Sequence, residues 1–142
     1  MKRKHFFVVL FLIMAIFLSG CGIITDEEKI RDVIDEYFLA INDQDWDKAK
    51  SCCIYESNVY HETCFLEDKI NDLSQSSSFV IIICLVDIFD ITIIRNYASA
   101  YIDGSFTIIT DDFSVTNDSP GYFYLQEVYN DWKIFDQKYI VR

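Results

Sequence analysis

The spacing of the apolar residues changes near residue 79, and this change restricts the fold more than any other feature of the chain. From 26 to 78, apolar residues recur every three or four positions, as on one face of a helix. From Phe79 onward, the chain consists of β-branched and aromatic runs separated by turn signals. Because helices precede strands instead of alternating with them, we predict an α+β domain: an antiparallel sheet with the N-terminal helices on one face.

The helical half begins with a well-defined amphipathic segment. Thr25 and Glu28 have the spacing of a capping box, which marks the start of a helix. Asp45 is expected to cap a short second helix, and a third helix is predicted over 65–73. The first helix buries a single apolar stripe, formed by Ile30, Val33, Ile34, Tyr37, Phe38 and Ile41.

The β-rich half is predicted to form four strands. Residues 79–85 are apolar at every position, which is typical of a central strand covered on both faces. Asp87 and Asp90 interrupt this run, which predicts a bulge, and Gly104 is expected to bend the next strand. Further strands are predicted over 97–109, 122–129 and 132–141, with a turn at 95–96, a loop over 111–121 and a turn at 130–131.

The N-terminus resembles a secretory signal peptide over residues 1–20. Lys2, Arg3 and Lys4 precede an apolar run over 6–18, which is shorter than the roughly 20 residues of a membrane span. Leu18-Ser19-Gly20-Cys21 resembles the lipobox of bacterial lipoproteins. This resemblance implies acylation of Cys21, a short tether over 21–26, a folded domain over 27–142, and a lipid anchor on the extracytoplasmic face of the cell membrane. An uncleaved membrane helix is the alternative.

The charge of the chain excludes one class of partner. The formal net charge is −11, and loss of the three basic residues of the signal peptide would make it about −14. Such a surface repels phosphate backbones, so we expect no binding to nucleic acid.

Four cysteines remain besides Cys21, and an even number in an exported protein permits two disulfides. A bridge between the adjacent Cys52 and Cys53 would be strained. The sequence therefore predicts that this pair joins separately to Cys64 and Cys84. The alternative is that some of these residues are small buried apolar side chains.

Two segments resemble nuclear transport factor 2-like (NTF2-like) domains. Tyr37-Phe38-Leu39-Ala40-Ile41-Asn42, followed by Asp45-Trp46-Asp47-Lys48-Ala49, resembles the link between the first two helices of that superfamily. Asn130-Asp131-Trp132-Lys133-Ile134 resembles its closing hairpin, with Asp131 where the superfamily often has glycine. The resemblance spans 26–142. It implies a cystatin-like roll, in which a curved sheet wraps around the helices and encloses a conical cavity.

Enzymes of that superfamily, of the ketosteroid isomerase and dehydratase types, place an acid or a histidine in the cavity. The candidates for such a general base are His61, Asp87, Asp90 and Asp103. No catalytic motif matches residue by residue, so no catalytic residue is assigned. Asp43, Asp45 and Asp47 alternate like a calcium loop, but the required glycine and glutamate are missing. We therefore predict no metal site and no cofactor.

Aromatic residues near the expected cavity mouth are candidates for lining a ligand, because tyrosine combines an apolar face with a polar tip. Two functions remain open. The first is a non-catalytic, membrane-tethered module that binds a protein partner or a small ligand, with a homodimer as a further expectation. The second is a small cavity enzyme that uses Asp or His as its base. The candidate ligand-lining residues are Tyr37, Trp46, Tyr55, Tyr60 and His61.

Overall fold

The computed structural model describes residues 24–140, which fold into three helices followed by five strands. The predicted signal peptide and Cys21 lie outside the described residues. The helices are α1 (Asp26–Asp43), α2 (Trp46–Ser51) and α3 (Asn58–Ser76). The strands are β1 (Val80–Ile94), β2 (Tyr97–Thr110), β3 (Ser114–Asp118), β4 (Gly121–Val128) and β5 (Asp131–Tyr139).

Helix α1 confirms the predicted cap and stripe. The Thr25 backbone N–H donates to Glu28 Oε2 at 2.7 Å, and the Glu28 N–H donates to Thr25 Oγ1 at 3.2 Å. Both halves of the capping box are therefore formed, and they satisfy backbone donors that the helix leaves unpaired. Four of the six stripe residues are buried in the core, and the other two pack against it.

Helix α3 is longer than predicted. It begins after Ser57, whose hydroxyl accepts from the Tyr60 N–H, and it continues to Ser76 rather than covering only 65–73. Polar residues on its exposed side concealed the first two turns from a search for apolar spacing. Tyr60 and His61 thus belong to α3, outside the range predicted for this helix.

The sheet is antiparallel with the strand order β1-β2-β4-β5, and β3 pairs with β2. Residues 111–121 are consequently not a plain loop, because Ser114–Asp118 form a short strand against Ser105–Ile109. Strand β2 pairs with β4 over Tyr97–Ile102 and with β3 beyond Gly104. The resulting fold is three helices on one face of a five-stranded sheet, as the order of elements predicted.

Gly104 lies where β2 changes its partner from β4 to β3. A Cβ atom at this position would lie 2.3 Å from the Leu85 carbonyl oxygen of the neighbouring strand. Only glycine therefore permits β1 and β2 to approach this closely at the point where β2 changes its partner. The pairing of β1 with β2 continues without a register shift at Gly104, so there is no bulge between these strands at this residue.

Strand β1 is an edge strand, so the prediction of a central strand covered on both faces was wrong. Up to the bulge, its even-numbered residues face the helices: Ile82 and Cys84 are buried, and Val80, Val86 and Ile88 are half-buried. The odd-numbered residues up to Phe89 are exposed, with Leu85 at 65%. An apolar run specifies strand structure but does not show whether a second layer covers the other face.

Three side chains of α1 and its C-terminal cap cover the free edge of β1. Arg31 Nη1 donates to the Ile88 carbonyl at 2.9 Å, and Gln44 Nε2 donates to the Val80 carbonyl at 2.9 Å. Asn42 accepts from the Cys84 N–H at 2.5 Å and donates to the Cys84 carbonyl at 3.3 Å. These bonds fix α1, from its second turn to its C-terminal cap, against β1.

The bulge and the first turn occur where the sequence predicted them. The register of β1 shifts between Phe89 and Thr92, and Asp90 has a left-handed φ of 40°. Residues 95–96 connect β1 to β2. The last turn is one residue earlier than predicted: Tyr129 and Asn130 have φ values of 53° and 69°, as a two-residue hairpin turn requires.

The outer face of the sheet carries a row of aromatic side chains. The ring centroids of Phe89 and Tyr101 lie 6.3 Å apart, those of Tyr101 and Tyr122 5.3 Å, and those of Tyr124 and Phe135 6.4 Å. No helix of the described residues covers this face. The homodimer expected from the sequence stays a prediction. If it forms, we expect this face of the sheet to be its interface.

In the described part of the chain, no helix combines the length and apolar character needed to span a bilayer.

Candidate functional site

A cavity of about 310 Å³ lies between the helices and the concave face of the sheet. This volume is within the range of small-molecule sites. Helices α1 and α3 form one side, and β1, β2 and the segment around β3 form the other. Most of its wall is apolar, and the residues that form it include Phe38, Ile41, Leu66, Val86, Ile102 and Phe106.

Tyr37 contributes a buried hydroxyl to the wall between α1 and α3. Its Oη lies 3.0 Å from Thr63 Oγ1, and Thr63 donates its own hydrogen to the Val59 carbonyl at 2.7 Å. Tyr37 is therefore the donor in the Tyr37–Thr63 bond. Burial raises the pKa of Tyr37 well above its usual range, so this hydroxyl remains protonated at neutral pH.

The mouth of the cavity carries a carboxylate that sequence reasoning missed. Glu62 lies on α3 and lines the cavity, where it accepts a hydrogen bond from Gln137 Nε2. Loss of hydration raises the pKa of Glu62, and the nearby negative charge of Asp136 raises it further. The only sequence signal was its position next to His61, one residue along the same helix.

Of the five predicted ligand-lining residues, the cavity is lined by Tyr37 alone. Tyr55 is 71% exposed, and its ring packs against Tyr60 at 5.1 Å between centroids. The ring of Tyr60 in turn lies against the ring of His61, with 6.0 Å between centroids, and neither residue lines the cavity. Trp46 packs against the hydrophobic core and also lies outside the cavity lining. The early start of α3 places Tyr60 and His61 on a regular helix, at positions that do not line the cavity.

The candidate bases do not enter this cavity. His61, Asp87 and Asp90 are exposed. Asp87 and Asp103 are opposite each other in the β1–β2 register, and with Asp118 they line a separate, open hollow on the sheet. Among residues 24–140, no group of three His, Cys, Asp or Glu side chains is placed to hold a metal ion.

The four described cysteines are free, contrary to the predicted disulfides. Cys52 and Cys53 direct their thiols to the carbonyls of Lys48 and Ala49, each at 3.5 Å, in the preceding turn of α2. An isolated bridge from Cys53 to Ile134 on β5 holds this segment in place. Cys84 lies on β1 and lines the cavity, where burial raises its pKa to about 12. These cysteines are mostly buried apolar side chains, the alternative considered above.

Replacing Glu62 with glutamine is expected to raise the free energy of unfolding modestly at pH 7. The folded state raises the pKa of Glu62 above its ordinary value of 4.5, so folding opposes its ionisation. This unfavourable contribution appears as the pH rises through the folded-state pKa, and it is absent below pH 4.5. The melting temperatures of the native protein and of the Glu62→Gln variant should therefore differ at pH 7 and coincide below pH 4.5. A variant that is less stable at pH 7 would contradict this account.

No protein-family model matches the chain, and no curated protein matches it in sequence. Solved structures do match. An NTF2-like protein with a cystatin-like fold from Novosphingobium aromaticivorans aligns with a TM-score of 0.60 and 10% identity, over 90% of this chain and 86% of that one. The chain has the NTF2-like fold.

Two further structures agree on this fold. An NTF2-like superfamily protein from Salmonella enterica serovar Typhimurium aligns with a TM-score of 0.56 and 18% identity, over 80% of this chain and 88% of that one. Bd1075 of Bdellovibrio bacteriovorus aligns with a TM-score of 0.57 and 9% identity over 80% of this chain. The match spans only 39% of the length of Bd1075. At these identities the likeness concerns the fold alone.

Proposed function

We propose that this protein is a non-catalytic binding module, tethered by a lipid at Cys21 to the extracytoplasmic face of the cell membrane, that takes a small and largely apolar ligand into its cavity. The observation that carries the proposal is the cavity of about 310 Å³ with an apolar wall and a few polar groups at its mouth. This combination removes apolar ligand surface from water while fixing the orientation of one polar end.

The binding role is tested with a neutral apolar fluorophore, N-phenyl-1-naphthylamine, titrated into the domain. We expect one fluorophore to bind per chain. Leu66→Trp should weaken its binding about tenfold or more, because the larger ring occupies the cavity. Leu73→Trp is the matched control: Leu73 lies on the same helix and packs against the core, but it does not line the cavity. Equal effects of the two variants, or no binding by the native chain, would refute the proposal.

A small cavity enzyme of the ketosteroid isomerase or dehydratase type is the alternative function. It requires Asp or His as a general base within reach of a bound substrate. The candidate bases His61, Asp87 and Asp90 are exposed and lie outside the cavity, whereas the carboxylate at its mouth belongs to Glu62. The bases that the sequence offered are therefore out of reach of a substrate in this cavity, which supports the binding role, and Glu62 is the one carboxylate of the described residues on its lining.

A further inference from the structure

We propose that the cavity selects a ligand with a positively charged amine at one end of an apolar body. This inference rests on the proposed binding function and concerns the chemistry at the mouth of the same cavity. The apolar wall accommodates the body of the ligand, and Glu62 receives the amine.

Among residues 24–140, the cavity lining contains a carboxylate and no basic side chain. A ligand carboxylate would therefore have no cation to pair with on this lining, and the negative charge of Glu62 would repel it. Asn117 and Ser119 on the opposite side of the lining are neutral groups that can both donate and accept hydrogen bonds. They can solvate a ligand but provide no compensating positive charge.

The hydrogens of the polar groups near Glu62 are partly committed within the protein. The Tyr37 hydroxyl donates to Thr63, and Gln137 Nε2 donates to Glu62. When ionised, Glu62 can accept hydrogen bonds but cannot donate them. The side-chain oxygen of Gln137 is another acceptor. Glu62 and Gln137 therefore offer acceptors to a ligand that brings its own donors, as an ammonium group does, and Tyr139, which also lines this side, has a hydroxyl that can accept as well as donate.

The carboxylates at the mouth have no cationic partner in the part of the chain that the structure describes. Among residues 24–140, neither Glu62 nor Asp136 forms an ion pair with a basic side chain. Asp136 accepts a hydrogen bond from Asn58 Nδ2 at 3.1 Å and adds its charge to the surroundings of Glu62. A cationic ligand would relieve the repulsion between these two carboxylates.

The test is competition against the bound fluorophore at pH 7 by three compounds of equal chain length: octylamine, 1-octanol and octanoate. We expect octylamine to compete best and octanoate least, with about a fivefold difference between amine and alcohol. Glu62→Gln should remove the advantage of the amine, and Glu62→Lys should reverse the order so that octanoate competes best. Asp68→Asn is the control, since it removes a negative charge from an exposed position of α3 outside the cavity lining.

Each outcome decides the inference. Loss of the amine preference in Glu62→Gln but not in Asp68→Asn supports it. Equal competition by all three compounds, or equal loss in both variants, overturns it while leaving the binding function intact. Failure of the fluorophore to bind the native chain overturns both.

Discussion

Phe123→Ala is expected to lower the free energy of unfolding by about 3–5 kcal/mol, a large part of the 5–15 kcal/mol typical of a domain. Phe123 is 1% exposed on β4. Its ring stacks on Phe38 at 5.4 Å between centroids and meets the edge of Tyr37 at 5.9 Å, so it connects the sheet to α1. Truncation would remove these contacts and leave a void that the rigid sheet cannot close. Urea denaturation followed by circular dichroism measures the loss.

Phe65→Ala provides the control for this experiment. Phe65 is 63% exposed on α3, and its ring lies near the Lys69 ammonium group, at 5.3 Å from the centroid. Its removal should cost less than about 1 kcal/mol. Similar losses in the two variants would show that β4 does not pack on α1 as described.

Cys21→Ser is expected to move nearly all of the protein from the membrane to the soluble fraction of disrupted cells. Serine cannot form the thioether on which lipoprotein acylation depends, and stable anchoring requires more than one membrane signal. Fractionation with immunoblotting, together with the intact mass of the purified protein, measures the change.

Cys64→Ser is the matched variant for Cys21→Ser, because it removes a thiol from the folded domain and leaves the N-terminus unaltered. It should remain with the membrane. If Cys21→Ser protein also remained there, the apolar run over 6–18 would be acting as an uncleaved anchor, and lipidation at Cys21 would be refuted.

Local patterns predicted the elements of the fold because short-range chemistry determines them. The stripe of α1 and the Thr25–Glu28 box require only neighbours within one helix. The position of β1 at the edge of the sheet could not be predicted in this way, because it depends on how strands later in the chain pair. The same applies to β3, whose five exposed residues gain their partner only from the β2 register.

The candidate site was harder to predict than the fold. Tyr37 was found because it belongs to the buried stripe of α1. Glu62 was missed because its role depends on Gln137, seventy-five positions away, which only the closing hairpin brings to α3. Isolated aromatic residues such as Tyr55 drew attention by their chemistry, whereas their place on the surface was set by where α3 begins.

The bonds from Arg31, Asn42 and Gln44 to β1 have a consequence for assembly. An edge strand with free peptide groups invites other strands to extend the sheet, which is a common route to aggregation. Here side chains from α1 and its cap already occupy the Val80, Cys84 and Ile88 peptides. Growth of the sheet from this side would first require α1 to detach, so copies held at high local concentration would not join through β1.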